Sequence, residues 1–194
     1  DALLAARSFE PDWLRDRRRD AFHVLLDTPL PTRTDEAWRR TDFGALKLNE
    51  VETLTWALDS KSALRGAPKS IKDAVSGKGA SGALVSSDGQ IVASMLDEEL
   101  ARKGVIFTDM DTAIQQYSGL LEPLFMTNVV KANDGYFAAL HGAFWQGGTF
   151  VYVPRGVNVP LPLRAAMWNK NRSASFPHTL IVLEEGAHAV FIDE

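Results

Sequence analysis

The sequence has no cysteine among its 194 residues. That excludes a disulfide framework, a CxxC redox pair and any thiolate-ligated zinc or iron–sulfur site within the chain. It also fits a reducing compartment such as the cytoplasm. Positive charge is not in excess: 21 basic residues face 25 acidic ones, for a formal net charge of -4. Neither nucleic acid nor an anionic membrane is therefore attracted globally. Long apolar runs are scarce too. The longest uncharged run, Gly135 to Pro154, carries His141, Gln146, Thr149 and four glycines. It reads as helix plus strand, since a spanning helix needs about 20 predominantly apolar residues. Residues 1–10 lack the apolar core of a secretory signal. What remains is ordinary for a globular protein of one domain, or one domain plus an appendage: 45% hydrophobic, 24% charged and 9% aromatic.

Along the chain, helical patterns come first. Trp13, Leu14, Ala21, Val24 and Leu25 recur near the helical period, so residues 1–26 read as helix, with Pro11 and Asp12 suited to a first turn. Thr28-Pro-Leu-Pro31 stops it. Thr34 is a candidate N-cap for a short helix that ends near Gly44. Leu54, Trp56 and Leu58 alternate as in a strand. Ser76 to Gly82 reads as a flexible loop. It contains Gly-Lys but lacks the following Ser or Thr and the earlier glycine of a phosphate loop. Ala83–Val85 and Gln90–Ala93 flank a hairpin turn signal at Ser87-Asp-Gly89. Asp97 to Lys103 is a short helix with acids first and bases last, ended by Gly104. Val105–Phe107 is a strand, and Asp109 caps a helix through Tyr117. Residues 118–146 read as helical again, with Asn133 or Asp134 capping the stripe Phe137, Leu140, Phe144. Beyond Gly148 the period becomes that of strands, at Thr149–Val153, Leu161–Trp168, Thr179–Leu183 and Ala187–Ile192.

Those strands carry an internal repeat. Phe150-Val-Tyr-Val-Pro-Arg-Gly156-Val-Asn-Val159 aligns without gaps on Leu180-Ile-Val-Leu-Glu-Glu-Gly186-Ala-His-Ala189, an offset of 30 residues. Each copy is a strand, a polar or breaker pair, a glycine corner and a new strand. Stacked coils of a β-solenoid produce this pattern, and so does an ordinary antiparallel sheet. A solenoid coil cannot bury its apolar face alone, and about three are needed. On the solenoid reading the edge after the second copy is expected to be continued by further chain, covered by a partner, or used for homodimerisation.

Two stretches resemble a known family. One is Pro31-Thr-Arg-Thr-Asp-Glu-Ala-Trp-Arg-Arg-Thr-Asp-Phe43. The other runs from Phe137-Ala-Ala-Leu-His-Gly-Ala-Phe-Trp-Gln-Gly-Gly-Thr-Phe-Val-Tyr-Val-Pro-Arg-Gly156 through Pro160-Leu-Pro-Leu163 to His178-Thr-Leu-Ile-Val-Leu-Glu-Glu-Gly-Ala187. Together they cover about a third of the chain. They are similar to the SufB/SufD family of iron–sulfur cluster assembly subunits. The resemblance implies an α+β protein: a helical and mixed N-terminal region over 1–146, then the first coils of a right-handed parallel β-helix over 147–194. The chain would then be the N-terminal part of a subunit roughly twice as long. The resemblance further implies a non-catalytic scaffold acting with a SufB-like subunit and a SufC-like ATPase, in the cytoplasm. The iron–sulfur cluster and ATP would be handled by the assembled complex, with cluster-assembly residues mainly beyond Glu194 and no cofactor held by this chain.

The residues themselves show no catalytic constellation. His178 and His188 flank the second repeat strand, but no third metal ligand stands at a suitable spacing. Glu184 and His188 are four apart, which does not align them on a strand–corner–strand. His141 lies beside an apolar stripe, as a structural histidine does, and His23 has no suggestive neighbours. Arg15, Arg17, Arg18 and Arg19 form a basic run, but Asp12, Asp16 and Asp20 allow helix-face pairs, so a solvated face is expected. Trp38, Trp145 and Trp168 read as core rather than interface anchors. Glu98-Glu99 and Glu184-Glu185 are adjacent, so their carboxylates diverge. No catalytic, cofactor-binding or metal residue is assigned. The competing function is a carbohydrate-binding or carbohydrate-cleaving β-helix, which would need acids gathered on one coil face. A membrane permease is excluded on hydropathy.

Overall fold

The computed structural model describes residues 7–43, 52–53, 64–87, 90–169 and 173–194. The strand expected around Leu54–Leu58 and the helix end expected at Gly44 lie outside them. The chain forms two compact units, one from residues 1–52 and 114–145, the other from 53–113 and 146–194.

The first unit is helical. Helix α1 spans Asp12–Asp27 and follows Pro11. The expected helix does not extend back over residues 7–10, which form a turn closed by Glu10 N–H on the Arg7 carbonyl at 3.0 Å. Pro11 is the reason, because the residue before a proline is pushed out of the helical region. Among the described residues between α1 and Phe43, only Glu36–Trp38 is helical, as a single 3-10 turn. Here Thr32 donates its N–H to the Asp35 carboxylate at 2.7 Å. Such side-chain bonds compete with helix formation, which corrects the expected Thr34-capped helix. Residues 122–131 are turns and bends rather than helix; Pro123 lacks the donor a continuing helix needs. Helix α5, Tyr136–Phe144, is preceded by Gly135 at φ 141°, so a glycine takes the cap position expected of Asn133 or Asp134. Helix α1 packs on α5. A Cβ at Gly142 would lie 2.9 Å from the Ala21 Cβ, so the close crossing requires glycine there.

The second unit is built on strands β1 Gly82–Ser87, β2 Gln90–Leu96, β3 Ile106–Asp109, β4 Thr149–Val153, β5 Leu163–Trp168, β6 Leu180–Leu183 and β7 Phe191–Asp193. A four-stranded sheet has the order β2-β1-β5-β7 and a three-stranded sheet the order β3-β4-β6; a further, two-stranded sheet pairs Glu52–Thr53 with Ser173–Ala174. Strands β1, β5 and β7 run parallel, with Gly82 opposite Leu163 and Leu163 opposite Phe191. Strands β4 and β6 are also parallel, with Phe150 opposite Leu180. The far edges are antiparallel: β2 pairs with β1 as the expected hairpin, and β3 pairs with β4. Leu84, Phe107, Val151, Val153 and Leu163 form the core between the sheets. Helix α2, Lys69–Val75, which the sequence pattern did not reveal, packs Ile71 and Ala74 against Val85 and Ala166 on the other face of the first sheet. Helix α3, Glu98–Arg102, is capped by Asp97, whose carboxylate accepts from Glu99 and Leu100 N–H. Helix α4, Met110–Leu121, runs from the second unit into the first, with non-helical backbone at Tyr117. Asp109 caps it by accepting the Thr112 N–H at 2.9 Å.

Candidate functional site

The repeat folds as two stacked copies. β4 pairs with β6 and β5 with β7 in parallel, so the two copies do not form the ordinary antiparallel sheet that was one of the two expected arrangements. Between the strands the copies stay in step. Glu184 N–H donates to Val153 O at 3.0 Å, Gly156 N–H to Glu185 O at 3.0 Å, His188 N–H to Val157 O at 3.0 Å and Leu163 N–H to Val190 O at 2.9 Å. The corner glycines take left-handed backbone, φ 70° at Gly156 and 72° at Gly186. They lie over one another, since a Cβ at Gly186 would meet the Gly156 Cα at 3.7 Å. The turn before β4 is tighter. A Cβ at Gly148 would lie 2.2 Å from the His178 carbonyl oxygen, so only glycine lets the second copy approach.

A polar ladder ties the corners. Tyr152 O–H donates to Glu184 at 2.6 Å, and Arg155 N–H donates to the same carboxylate at 3.0 Å. The Arg155 guanidinium pairs with Glu185. The Tyr152 hydrogen bond, then that of Arg155 N–H, holds Glu184 below the usual carboxylate range. Reciprocally, the bond to Glu184 raises the Tyr152 phenol above its ordinary value.

The second copy leaves its apolar side open. Val151 and Val153 are fully buried, yet their register partners Ile181 and Leu183 are 42% and 46% exposed, and Val190 is 58% exposed. Strands β6 and β7 are the outer strands of their sheets.

The candidate residues fall as follows. Glu184 belongs to the corner ladder, and exposed His188 bridges to Asn158. His178 contributes backbone bonds to Gly147 and Thr149. Among the described residues, no three His, Asp or Glu are grouped to hold a metal ion. Half-buried His141 is pushed below its ordinary pKa, first by burial and then by the Arg18 charge. The basic run divides. Arg15 and Arg19 make the expected surface pairs with Asp12 and Asp16. Arg18 does not belong to a solvated face: it is 2% exposed and bonds both Glu10 oxygens, at 2.9 and 2.7 Å. It also donates to the carbonyls of Ala143 at 3.1 Å and Trp145 at 3.0 Å. Arg17 donates to Phe125 O and stacks on Trp13. Trp145 is fully buried, and Trp168 packs against the Val85–Ala166 cluster. Trp38 departs from the core reading: it is 36% exposed, stacked on Phe43 and Phe137. Helix α3 carries Glu98 and Glu99 in its first turn, and Glu99 pairs with Lys103. Among the described residues, no helix is long and apolar enough to cross a membrane.

These features define a class: an α+β protein with mixed sheets that contain two parallel, in-register strand copies. The family model described as SufBD protein N-terminal region matches residues 3–165, and the chain belongs to that family. It is 32% identical over 194 residues to the iron–sulfur cluster assembly protein SufD of Bacillus subtilis, covering 95% of this chain and 41% of that protein. It is 29% identical over 201 residues to an iron–sulfur cluster assembly SufBD family protein of Mycobacterium bovis, covering 98% of this chain and 23% of that one. A SufBD family protein of Staphylococcus aureus is 30% identical over 196 residues, with 95% of this chain and 40% of that protein covered. The chain spans less than half the length of these relatives.

Proposed function

We propose that this chain is the N-terminal part of a SufD-type subunit, a non-catalytic scaffold in cytoplasmic iron–sulfur cluster assembly. The observation that carries the reading is the pair of in-register copies with a 30-residue offset in a chain of the SufBD family. On this reading the two copies begin a right-handed β-helix, whose rigid coils pair with a SufB-like subunit. A SufC-like ATPase hydrolyses ATP elsewhere in the complex, and the cluster is cargo rather than a cofactor of this chain. The corner ladder supports a platform role, because its carboxylates are engaged with Tyr152 and Arg155 rather than aimed at one substrate. Nothing in the names of the matched proteins favours the carbohydrate reading.

The test is co-purification of the full-length gene product, tagged and co-expressed with SufB-like and SufC-like subunits. Retention of both partners is expected. Failure to retain either one overturns the scaffold assignment.

A further inference from the structure

Segment 31–43 belongs to the first unit, whereas the stacked copies belong to the second. Every residue from 32 to 42 is exposed. The backbone there is nonetheless fixed: Asp35 N–H donates to Thr32 O at 3.1 Å, Trp38 N–H to Asp35 O at 2.8 Å and Thr41 N–H to Trp38 O at 2.8 Å. Ordering this turn costs conformational entropy, with no buried residue in it to offset the loss. Its one attachment is aromatic. Trp38 stacks on Phe137 of α5 at 5.2 Å between ring centroids and on Phe43 at 5.3 Å, and remains 36% exposed. Phe144, seven residues along α5, shares the face of Phe137. There Phe22 of α1 packs edge-on against it at 6.0 Å and remains 41% exposed. One face of α5 thus carries two half-open rings, Trp38 and Phe22, at the ends of a helical rise of about 10 Å.

The charges beside Trp38 give the occupant its sign. The acids of the segment are engaged: Glu36 pairs with Arg39 at 3.2 Å, Asp35 accepts the Thr32 N–H at 2.7 Å, and Asp42 has a partner of its own. Arg33 and Arg40 are exposed and make no ion pair or hydrogen bond among the described residues. Two guanidiniums therefore stand available next to an open indole. Trp and Arg are the side chains that dominate binding energy at protein interfaces. Nucleic acid also uses arginines and aromatic rings. Here, however, the rings are tilted onto one another at 50–57°, and a net charge of -4 opposes a polyanion. We propose that this surface docks an acidic segment of a partner protein, with apolar side chains against Trp38 and Phe22 and carboxylates on Arg33 and Arg40. Docking here does not depend on the scaffold assignment.

The test pans a random phage-displayed dodecapeptide library on the tagged full-length gene product, and titrates the same protein with oligothymidylate. Enriched peptides are expected to carry net negative charge and at least one Leu, Phe or Trp. Their Kd is expected to rise at least tenfold for the double variant Arg33→Glu/Arg40→Glu, which leaves every ring in place. Trp38→Ala is expected to weaken them at least tenfold as well; if that variant does not fold, the charge reversal and Phe22→Ser still decide. Arg19→Gln, which removes an exposed arginine paired with Asp16, is expected to bind as the parent does. The proposal is overturned if no peptide is enriched, which would mean that the rest of the full-length chain covers this surface. It is equally overturned if the enriched peptides are basic or neutral, if oligothymidylate binds as tightly as they do, or if the charge-reversed protein keeps its affinity.

Discussion

Arg18→Met separates two arginines that look alike in the sequence, Arg18 and Arg19. The Arg18 and Glu10 side chains are 2% and 0% exposed. Its guanidinium makes two bonds to Glu10 and two to backbone carbonyls, and its Cζ lies 4.2 Å from the Trp145 ring centroid. Methionine keeps the chain's bulk but removes every one of those donors. Breaking a buried pair while leaving one charge behind costs about 3–5 kcal/mol. Arg7 still pairs with Glu10, so the lower end, about 3 kcal/mol, is expected. For a chain of this size that is a fall in Tm of roughly 6–12 °C. Arg19→Ala, which removes only an exposed pair, should stay within about 0.5 kcal/mol of the parent. The assay is thermal and urea unfolding of the three proteins side by side. A second readout is local: loss of the Arg18 charge should raise the His141 pKa, measured from the imidazole proton shift, towards its ordinary value. The sign is fixed by linkage. A histidine whose folded pKa is depressed contributes stability above its unfolded pKa, and that contribution is lost as pH falls through the folded one. The acid sensitivity contributed by His141 should therefore shrink in Arg18→Met. If Arg18→Met and Arg19→Ala unfold together, or His141 titrates unchanged, the buried network does not hold this unit as described.

Two other outcomes follow from the stacked copies. Gly148→Ala sets a Cβ against the His178 backbone and should strip hydrogen-exchange protection from residues 180–183 and 191–193, whereas Gly156→Ala meets nothing within 4 Å and should show only left-handed strain of about 1–2 kcal/mol; equal effects from the two would refute the close approach. The Tyr152–Glu184 bond needs an ionised Glu184 and a protonated Tyr152, so it should persist across neutral pH. It should weaken on acidification through the depressed Glu184 pKa and on alkalinisation through the raised Tyr152 pKa. Tyr152→Phe should return the Glu184 titration, followed by carboxyl NMR, towards the ordinary range.

What was legible in the sequence is what local rules decide. The hairpin around Ser87–Gly89, the Asp97 cap, the Asp109 cap and the repeat at Gly156 and Gly186 each need only neighbours along the chain. Helix α2 was missed because its seven residues show no long apolar period. The short helix expected after Thr34 yields to the Thr32–Asp35 side-chain bond, which propensity does not weigh. Arg18 could not be told from its neighbours, since its burial is set by Glu10 and by carbonyls 125 and 127 residues away.

The register also has a consequence in time. Strand β1 takes as its parallel neighbour a strand that begins 81 residues later, at Leu163 opposite Gly82. A ribosome adding 5–20 residues per second leaves the β1–β2 hairpin waiting roughly 4–16 s for that neighbour to be made. During that interval Leu84 and Val85, both buried in the finished protein, lack the β5 neighbour, although helix α2 already stands ready to cover Val85. The nascent chain therefore carries an incompletely sealed strand edge while those 81 residues are made. A holdase that binds short hydrophobic strands would find its natural target there, and would be released when β5 arrives.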